Sequence, residues 1–315
     1  MPRLPRLTLQ TRLRASIDYG ESTSFMTNKR YYSYWLIVPA AVLFVTFTLG
    51  GFAYGLFGSL HFWTITDFRF IGFRNYARIF SDPYLSVAFR NTFVFAGLSL
   101  ALKVGIGFFL ALMLHSKLRG TVFLRAVFFL PAVITRIAIG AMFNIFLHPT
   151  IGFVNRFLRS VGLDGLALSW LADGNIALVT LALIEAWQWT GFIAMIILAG
   201  LQSIPDHYYD AAAIDGASWW QRIRYVTIPL VLPTLNNVII LQLIAGFRVM
   251  ELVMVTTEGG PGVSTLVLNL VVYRQFTQGL YGGAAAAVNT LAVIIMVLTI
   301  FANRFLRRGE RRVEV

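Results

Sequence analysis

Residues 176–200 read IALVTLALIEAWQWTGFIAMIILAG, an apolar run interrupted by one charge, Glu185. At ~1.5 Å of rise per residue, about 20 residues of helix cross the roughly 30 Å of a bilayer's hydrocarbon. The run is long enough, and it is continuous, whereas a barrel strand would alternate over about ten residues. It reads as a membrane-spanning helix. Five further runs of the same character lie at roughly 33–59, 89–115, 121–147, 231–256 and 284–303. The sequence thus predicts an all-α, polytopic membrane protein with about six transmembrane helices.

The rest of the composition agrees with that reading. Hydrophobic residues make up 57% of the 315 and charged residues 13%, about half the charged share of a soluble domain. A net charge of +12 can indicate a nucleic-acid partner, but here the cations collect in alternate loops. Arg3, Arg6, Arg12, Arg14, Lys29 and Arg30 precede the first span. Lys117 and Arg119 follow the second, Arg222 and Arg224 follow the fourth, and Arg304, Arg307, Arg308, Arg311 and Arg312 follow the last. The intervening loops hold fewer, and the positive-inside rule then places both termini in the cytoplasm. Residues 1–30 form a basic cytoplasmic arm, 31–303 the transmembrane domain and 304–315 a basic cytoplasmic tail; such basic segments can touch anionic lipid head groups. There are no cysteines, which excludes disulfides and thiolate chemistry. The first apolar run is too long for a signal-peptide core and is expected to remain as a span.

Three loops carry further information. Residues 63–89, rich in aromatics with Gly72 and Pro83, predict a small external subdomain, and 149–175 a second external loop. The third, about 202–233, is cytoplasmic by parity and holds Asp206, Asp210, Asp215, Arg222 and Arg224 among alanines, aromatics and three prolines. Pro205 can open a helix, since the first helical position needs no N–H. Asp206 and Asp210 suit the positive end of its macrodipole. Ala211, Ala212 and Ala213 propagate the helix and Gly216 stops it. The expected result is a short amphipathic helix at the membrane surface, a turn, and a segment re-entering at Pro229. Such a helix can pass force from a soluble partner to the spans.

The loop reads Asp210-Ala211-Ala212, three residues, Gly216, nine residues, then Val226-x-Ile228-Pro229. It resembles the EAA loop of binding-protein-dependent ABC importer permeases, with Asp in place of Glu at intact spacing. The likeness extends over roughly residues 33–303. Gly72-Phe73-Arg74-Asn75-Tyr76, Glu185-Ala186-Trp187, Leu201-Gln202-Ser203-Ile204-Pro205 and Thr257-Glu258-Gly259-Gly260-Pro261-Gly262 are similar to the carbohydrate-importer branch, and the Gly-Gly-Pro segment to its MalF-like type. The resemblance implies an ABC type I importer permease fold in a bacterial inner membrane, serving a sugar or oligosaccharide importer. It implies as partners a MalG-like second permease, an ATPase homodimer and an extracytoplasmic solute-binding protein. It further implies coupling to the ATPase through Asp210, Ala211, Ala212, Asp215 and Gly216, and a periplasmic loop at Gly259, Gly260 and Pro261.

This chain is not expected to be an enzyme. A nucleotide phosphate loop needs a Gly-Lys pair, and none of Lys29, Lys103 and Lys117, the only lysines, follows glycine. ATP and magnesium are therefore expected in the partner ATPase. His61, His115, His148 and His207 show no metal-ligand spacing.

Lys103, Arg136, Glu185, Arg248 and Glu251 fall inside predicted spans. A charge at the bilayer centre costs about 3 kcal/mol, so each is expected to face protein or water. Two readings stand. Glu185 and Glu251 can neutralise two of the three cations as structural pairs, or a surplus positive charge can line a cavity for an anionic substrate, such as a uronate oligosaccharide or a phosphorylated one. Trp187, with Trp189 and Phe247, can stack on a sugar face or simply pack against other helices. An ion-coupled secondary transporter is the alternative function; it predicts internal repeats, and none is visible.

Overall fold

Where no water is available to the backbone, a chain must satisfy its own N–H and C=O groups, and the apolar runs do so as helices. The computed structural model describes residues 37–116 and 120–310, with side chains as far as Arg307. The basic arm 1–30, Lys117, Arg119 and the tail residues 311–315 lie outside the described residues. The chain divides into two units, Met1–Gly51 and Phe52–Val315. In the first, the described residues are helical and exposed; they open helix α1, Val38–Ser59, which contains a π-helical stretch at Phe44–Leu49.

In the second unit the segment expected to be an external subdomain takes shape as a hairpin, β1 (His61–Trp63) against β2 (Phe68–Phe70), followed by α2 (Arg74–Ser81). These six strand residues are an addition to the all-α expectation. Asn75 Nδ2 donates to the carbonyls of Ser59 (2.8 Å) and His61 (2.9 Å), which fastens α2 to the hairpin. Asp82 caps α3 (Pro83–His115) by accepting from the Tyr84 N–H at 2.9 Å, with Pro83 at the first helical position.

The third predicted span is not one helix. It is α4 (Thr121–Val133) and α5 (Arg136–Phe146), bent by 97° at the break. Ile134 and Thr135 adopt extended backbone conformations there, and the Thr135 hydroxyl caps α5 by accepting from Ala138. The carbonyl freed at Ile134 is met by Gln188 Nε2 at 2.8 Å, the satisfaction a broken helix needs inside a membrane. The loop around α6 (Phe153–Ser160) wraps around buried Asn155 of that helix, whose amide donates to the Pro149 and Leu168 carbonyls.

Helix α7 (Ala177–Gln202) is the axis of the packing. Leu181, Ile193, Ile197 and Leu201 are fully buried, facing Phe95 and Leu114 of α3 among others. Membrane helices associate through close packing at small residues more than through the hydrophobic effect. Gly191 is such a place: a Cβ there would stand 1.8 Å from the Phe128 carbonyl oxygen of α4. Helix α8 (His207–Ile214) follows, and then α9 (Trp219–Phe247). The segment expected to re-enter at Pro229 is thus already helical from Trp219, with a π-helical turn at Ile223–Thr227 just before the proline.

The fifth predicted span, 231–256, also ends early. Helix α9 stops at Phe247, and α10 (Glu251–Thr256) starts afresh after Arg248, Val249 and Met250. The chain closes with α11 (Leu268–Thr277) and α12 (Tyr281–Glu310). Residues 304–310 of the expected tail therefore prolong the last helix. Among the described residues, five helices are long and apolar enough to cross a membrane, six if the bent pair counts as one span.

Candidate functional site

Three groups of predicted residues can now be placed. The first is α8. Its C-terminus carries Gly216 at φ +74°, with Ala217 N–H donating to the Ala212 carbonyl and Gly216 N–H to that of Ala213. This is a Schellman stop, in which a residue without Cβ takes the left-handed position. Two residues on, Ser218 and Gln221 form a reciprocal capping box that starts α9. Asp210, Ala211, Asp215 and Gly216 are exposed and Ala212 is half-buried. Pro205 stands before the helix, and Asp206 takes the N-cap position without a side-chain cap bond. The apolar side chains here also face outward: Ile214 is 87% exposed, and Trp219 and Trp220 are exposed and packed edge to face. Behind α8 a cleft of about 800 Å³ opens towards α3 and α9, lined by Met113, His115, Tyr209, Asp210, Trp219 and Arg222 among others.

The second group is a ladder of charge inside the helices. Lys103 Nζ lies 3.6 Å from Glu185 Oε1, and both side chains are buried (0% and 1% exposed). The same Glu185 oxygen is 3.4 Å from Arg136 Nη2, and Arg136 Nη1 reaches Glu251 Oε2 at 3.2 Å. Arg136 is 22% exposed and Glu251 42%. The Arg136 guanidinium also lies over the Trp189 ring, 5.6 Å from its centre. Two carboxylates thus face two cations, as the structural-pair reading anticipates. Arg248 joins no ion pair among the described residues; it is exposed at the end of α9, and its carbonyl accepts from Asn269. Trp187 is exposed, with Phe143 edge-on at 5.4 Å, and Phe247 is buried against Phe93.

Beside this ladder several buried polar atoms have no hydrogen-bond partner among the described residues: Glu185 Oε2, Gln188 Oε1 and Trp189 Nε1. Buried polar groups are normally paired, so these atoms can take hydroxyls or water as partners. Sequence reading did not single out Gln188. Its spacing of three residues from Glu185 puts both on one helix face, and that signal could have found it.

The third group is the loop after α10. Glu258, Gly259 and Gly262 all have positive φ, and the Gly260–Pro261 peptide is cis. Thr265 Oγ1 donates to the Gly260 carbonyl at 2.7 Å, and Arg274 donates to the Glu258 carbonyl. What holds the loop from below was missed in the sequence. Asn91 of α3 donates to the carbonyls of Val263, Ser264 and Leu266 at 3.0–3.1 Å, and Thr92 Oγ1 accepts from the Leu268 N–H at 2.9 Å. Two adjacent polar residues near the start of an apolar span were the available signal.

Comparison with known proteins adds the following. Residues 103–315 match the family model described as "Binding-protein-dependent transport system inner membrane component". A probable ABC transporter permease protein, YurN of Bacillus subtilis (strain 168), is 33% identical over 88% of this chain and 96% of its own length. The trehalose/maltose transport system permease protein MalF of Thermococcus litoralis is 30% identical over 87% of this chain and 94% of its own length. Among solved structures, a bacterial alginate ABC transporter in complex with its alginate pentasaccharide-bound periplasmic protein contains a similar chain. That chain has a TM-score of 0.79 and 25% identity, covering 95% of this chain and 98% of the other.

Proposed function

This chain belongs to the binding-protein-dependent transport system inner membrane components, and from that premise we propose that it is the MalF-like permease half of an ATP-driven oligosaccharide importer. It is a membrane transport component, not an enzyme. A second, MalG-like permease completes the pathway, a solute-binding protein delivers the sugar, and an ATPase homodimer holds ATP and magnesium. Both termini face the cytoplasm, as the distribution of Arg and Lys suggests.

The observation that carries this reading is α8. A short helix, stopped at Gly216 at the spacing of the EAA loop, lies between two spans with its apolar side chains exposed. Exposed apolar surface of this kind suits a docking protein. Asp210, Ala211, Ala212, Asp215 and Gly216 are the contact to the ATPase, and α9 runs on from Trp219 into the membrane as the rod that carries the motion. Gly259, Gly260 and Pro261 form the external loop on the substrate or binding-protein side. The sugar class is supported by MalF of Thermococcus litoralis and by the alginate transporter.

A more specific reading is favoured by Arg248, an exposed cation without a counter-charge among the described residues, three positions before the Glu251 that pairs with the partly exposed Arg136. It makes the substrate an acidic oligosaccharide of the uronate type. Lys103 and Glu185 then position Arg136, while Arg248 and Trp187 border the path. The test is ATP hydrolysis by the reconstituted complex with its binding protein, across neutral and uronate oligosaccharides. Stimulation by any sugar supports the importer, and stimulation by uronates that falls on Arg248→Ala supports the acidic substrate. Stimulation by neutral sugars alone overturns only the latter.

A further inference from the structure

The exposure of the charge ladder falls into two halves. Lys103 and Glu185 are sealed inside the chain, whereas Arg136 and Glu251 are partly open. An open charge at this depth cannot face hydrocarbon, so its free side faces a polar cavity or a covering chain. On the cavity side of that choice, the Arg136–Glu251 pair lies where a passing substrate can reach it.

The pair is not what holds its two helices together. Arg136 is the first residue of α5 and Glu251 the first of α10. Those helices are joined further along. Asn144 Nδ2 donates to the Val255 carbonyl at 2.9 Å, and Gly140 fits so closely that a Cβ would meet Val255 at 3.1 Å. Glu251 can thus leave Arg136 without parting the helices. Glu251 is 42% exposed and has one ion-pair partner among the described residues, whereas Glu185 is 1% exposed and is also held by Lys103. Arg136 in turn is kept in place without Glu251, because Glu185 holds Nη2 and Trp189 lies under the guanidinium plane. A planar guanidinium fixed on one edge and lightly occupied on the other is well suited to a planar carboxylate.

We propose that Glu251 is a resident carboxylate that occupies Arg136 between transport events, and that a sugar carboxylate displaces it. The inference rests on the acidic-substrate reading above. Glu185, buried and shared with Lys103, stays in place throughout. The displaced Glu251 side chain turns to the polar cavity, so the exchange of one carboxylate for another leaves the charge on Arg136 matched. A neutral sugar offers no such exchange, and this sets the preference between them.

The experiment uses the whole reconstituted transporter with saturating, loaded binding protein. A uronate trisaccharide and its carboxyl-reduced neutral counterpart are compared as stimulants of ATP hydrolysis and uptake. The acidic-to-neutral rate ratio of each variant is divided by that of the wild type, which cancels the binding protein's own preference. Glu251→Gln weakens the competitor, and the ratio should rise about three- to fivefold, the span of a partly exposed ion pair. Glu251→Asp keeps a carboxylate and should restore a ratio close to wild type, and Arg136→Gln should lower it. An unchanged ratio in Glu251→Gln, with the complex assembled, overturns the exchange while leaving an acidic substrate intact. If the wild type responds only to the neutral sugar, the acidic reading itself has failed, and that shows before any variant is made.

Discussion

On one side of α9, beyond α10, the segment 257–267 is bound into the body of the chain; on the other side the segment 206–218 is bound mostly to itself. The first is held by Asn91 and Thr92 from a different helix, and its Leu266 and Val267 are buried. The second closes with its own Schellman stop and capping box, and Tyr209 OH reaches Thr227 Oγ1 at 3.3 Å as a link to the start of α9. Both use positive-φ glycines to turn sharply. The difference lies in where the outward chemistry is completed. One loop is finished within the chain, while the other presents Tyr208, Ile214, Trp219 and Trp220 to whatever lies beyond it.

The largest effect should come from forcing bulk into the unfinished end. Nothing lies within 4 Å of where a Gly216 side chain would start, so the chain itself has room there. Gly216→Trp should lower binding-protein-stimulated ATP hydrolysis by about tenfold or more, equivalent to some 1.4 kcal/mol of coupling. The control Gly216→Ala carries only the left-handed backbone cost, about 1–2 kcal/mol, and should couple better than the tryptophan variant. If the tryptophan variant couples normally, no partner covers Gly216 and the contrast between the loops collapses. At the finished end, Asn91→Ala strips three carbonyls of their donor and should cost about 1–3 kcal/mol. Thermal unfolding of the purified complex measures it, with faster proteolysis between residues 257 and 267 as the local sign. The smallest effect is Ser218→Ala, which removes a helix cap worth about 1 kcal/mol. Faster amide exchange at Gln221, without loss of assembly, is the expected result.

Much of this arrangement is legible in the sequence, and the rest is not for identifiable reasons. A span shows because length and apolarity are properties of one run of residues. The stop at Gly216 shows because the left-handed position is a local requirement. The bend between α4 and α5 shows only in part, through Pro131 inside the run and Thr135 as the cap of a new helix. Apolar residues continue through Ile134, and the break depends on Gln188 meeting the freed carbonyl and Gly191 admitting the α4 backbone. Likewise the charged residues could be collected from the sequence, but not their order. Arg136 finds its carboxylates 49 and 115 positions away, and only the packing of α5 against α7 and α10 assigns them. The grip of Asn91 on the loop 172–175 positions later is hidden for the same reason.

The Lys103–Glu185 contact also fixes a timetable for biosynthesis. Helix α3 is made long before α7, and the stretches 38–59 and 121–146 contain no Asp or Glu. At roughly ten residues per second, Lys103 waits several seconds before a span bearing a carboxylate emerges. Released into lipid alone, it would meet the penalty of about 3 kcal/mol for a bare cation at mid-membrane. The many apolar residues of α3 offset a penalty of that size, so α3 can enter the membrane ahead of its partner, and the arrival of α7 removes the penalty. The bent pair α4–α5, made in between, has to be accommodated during that delay.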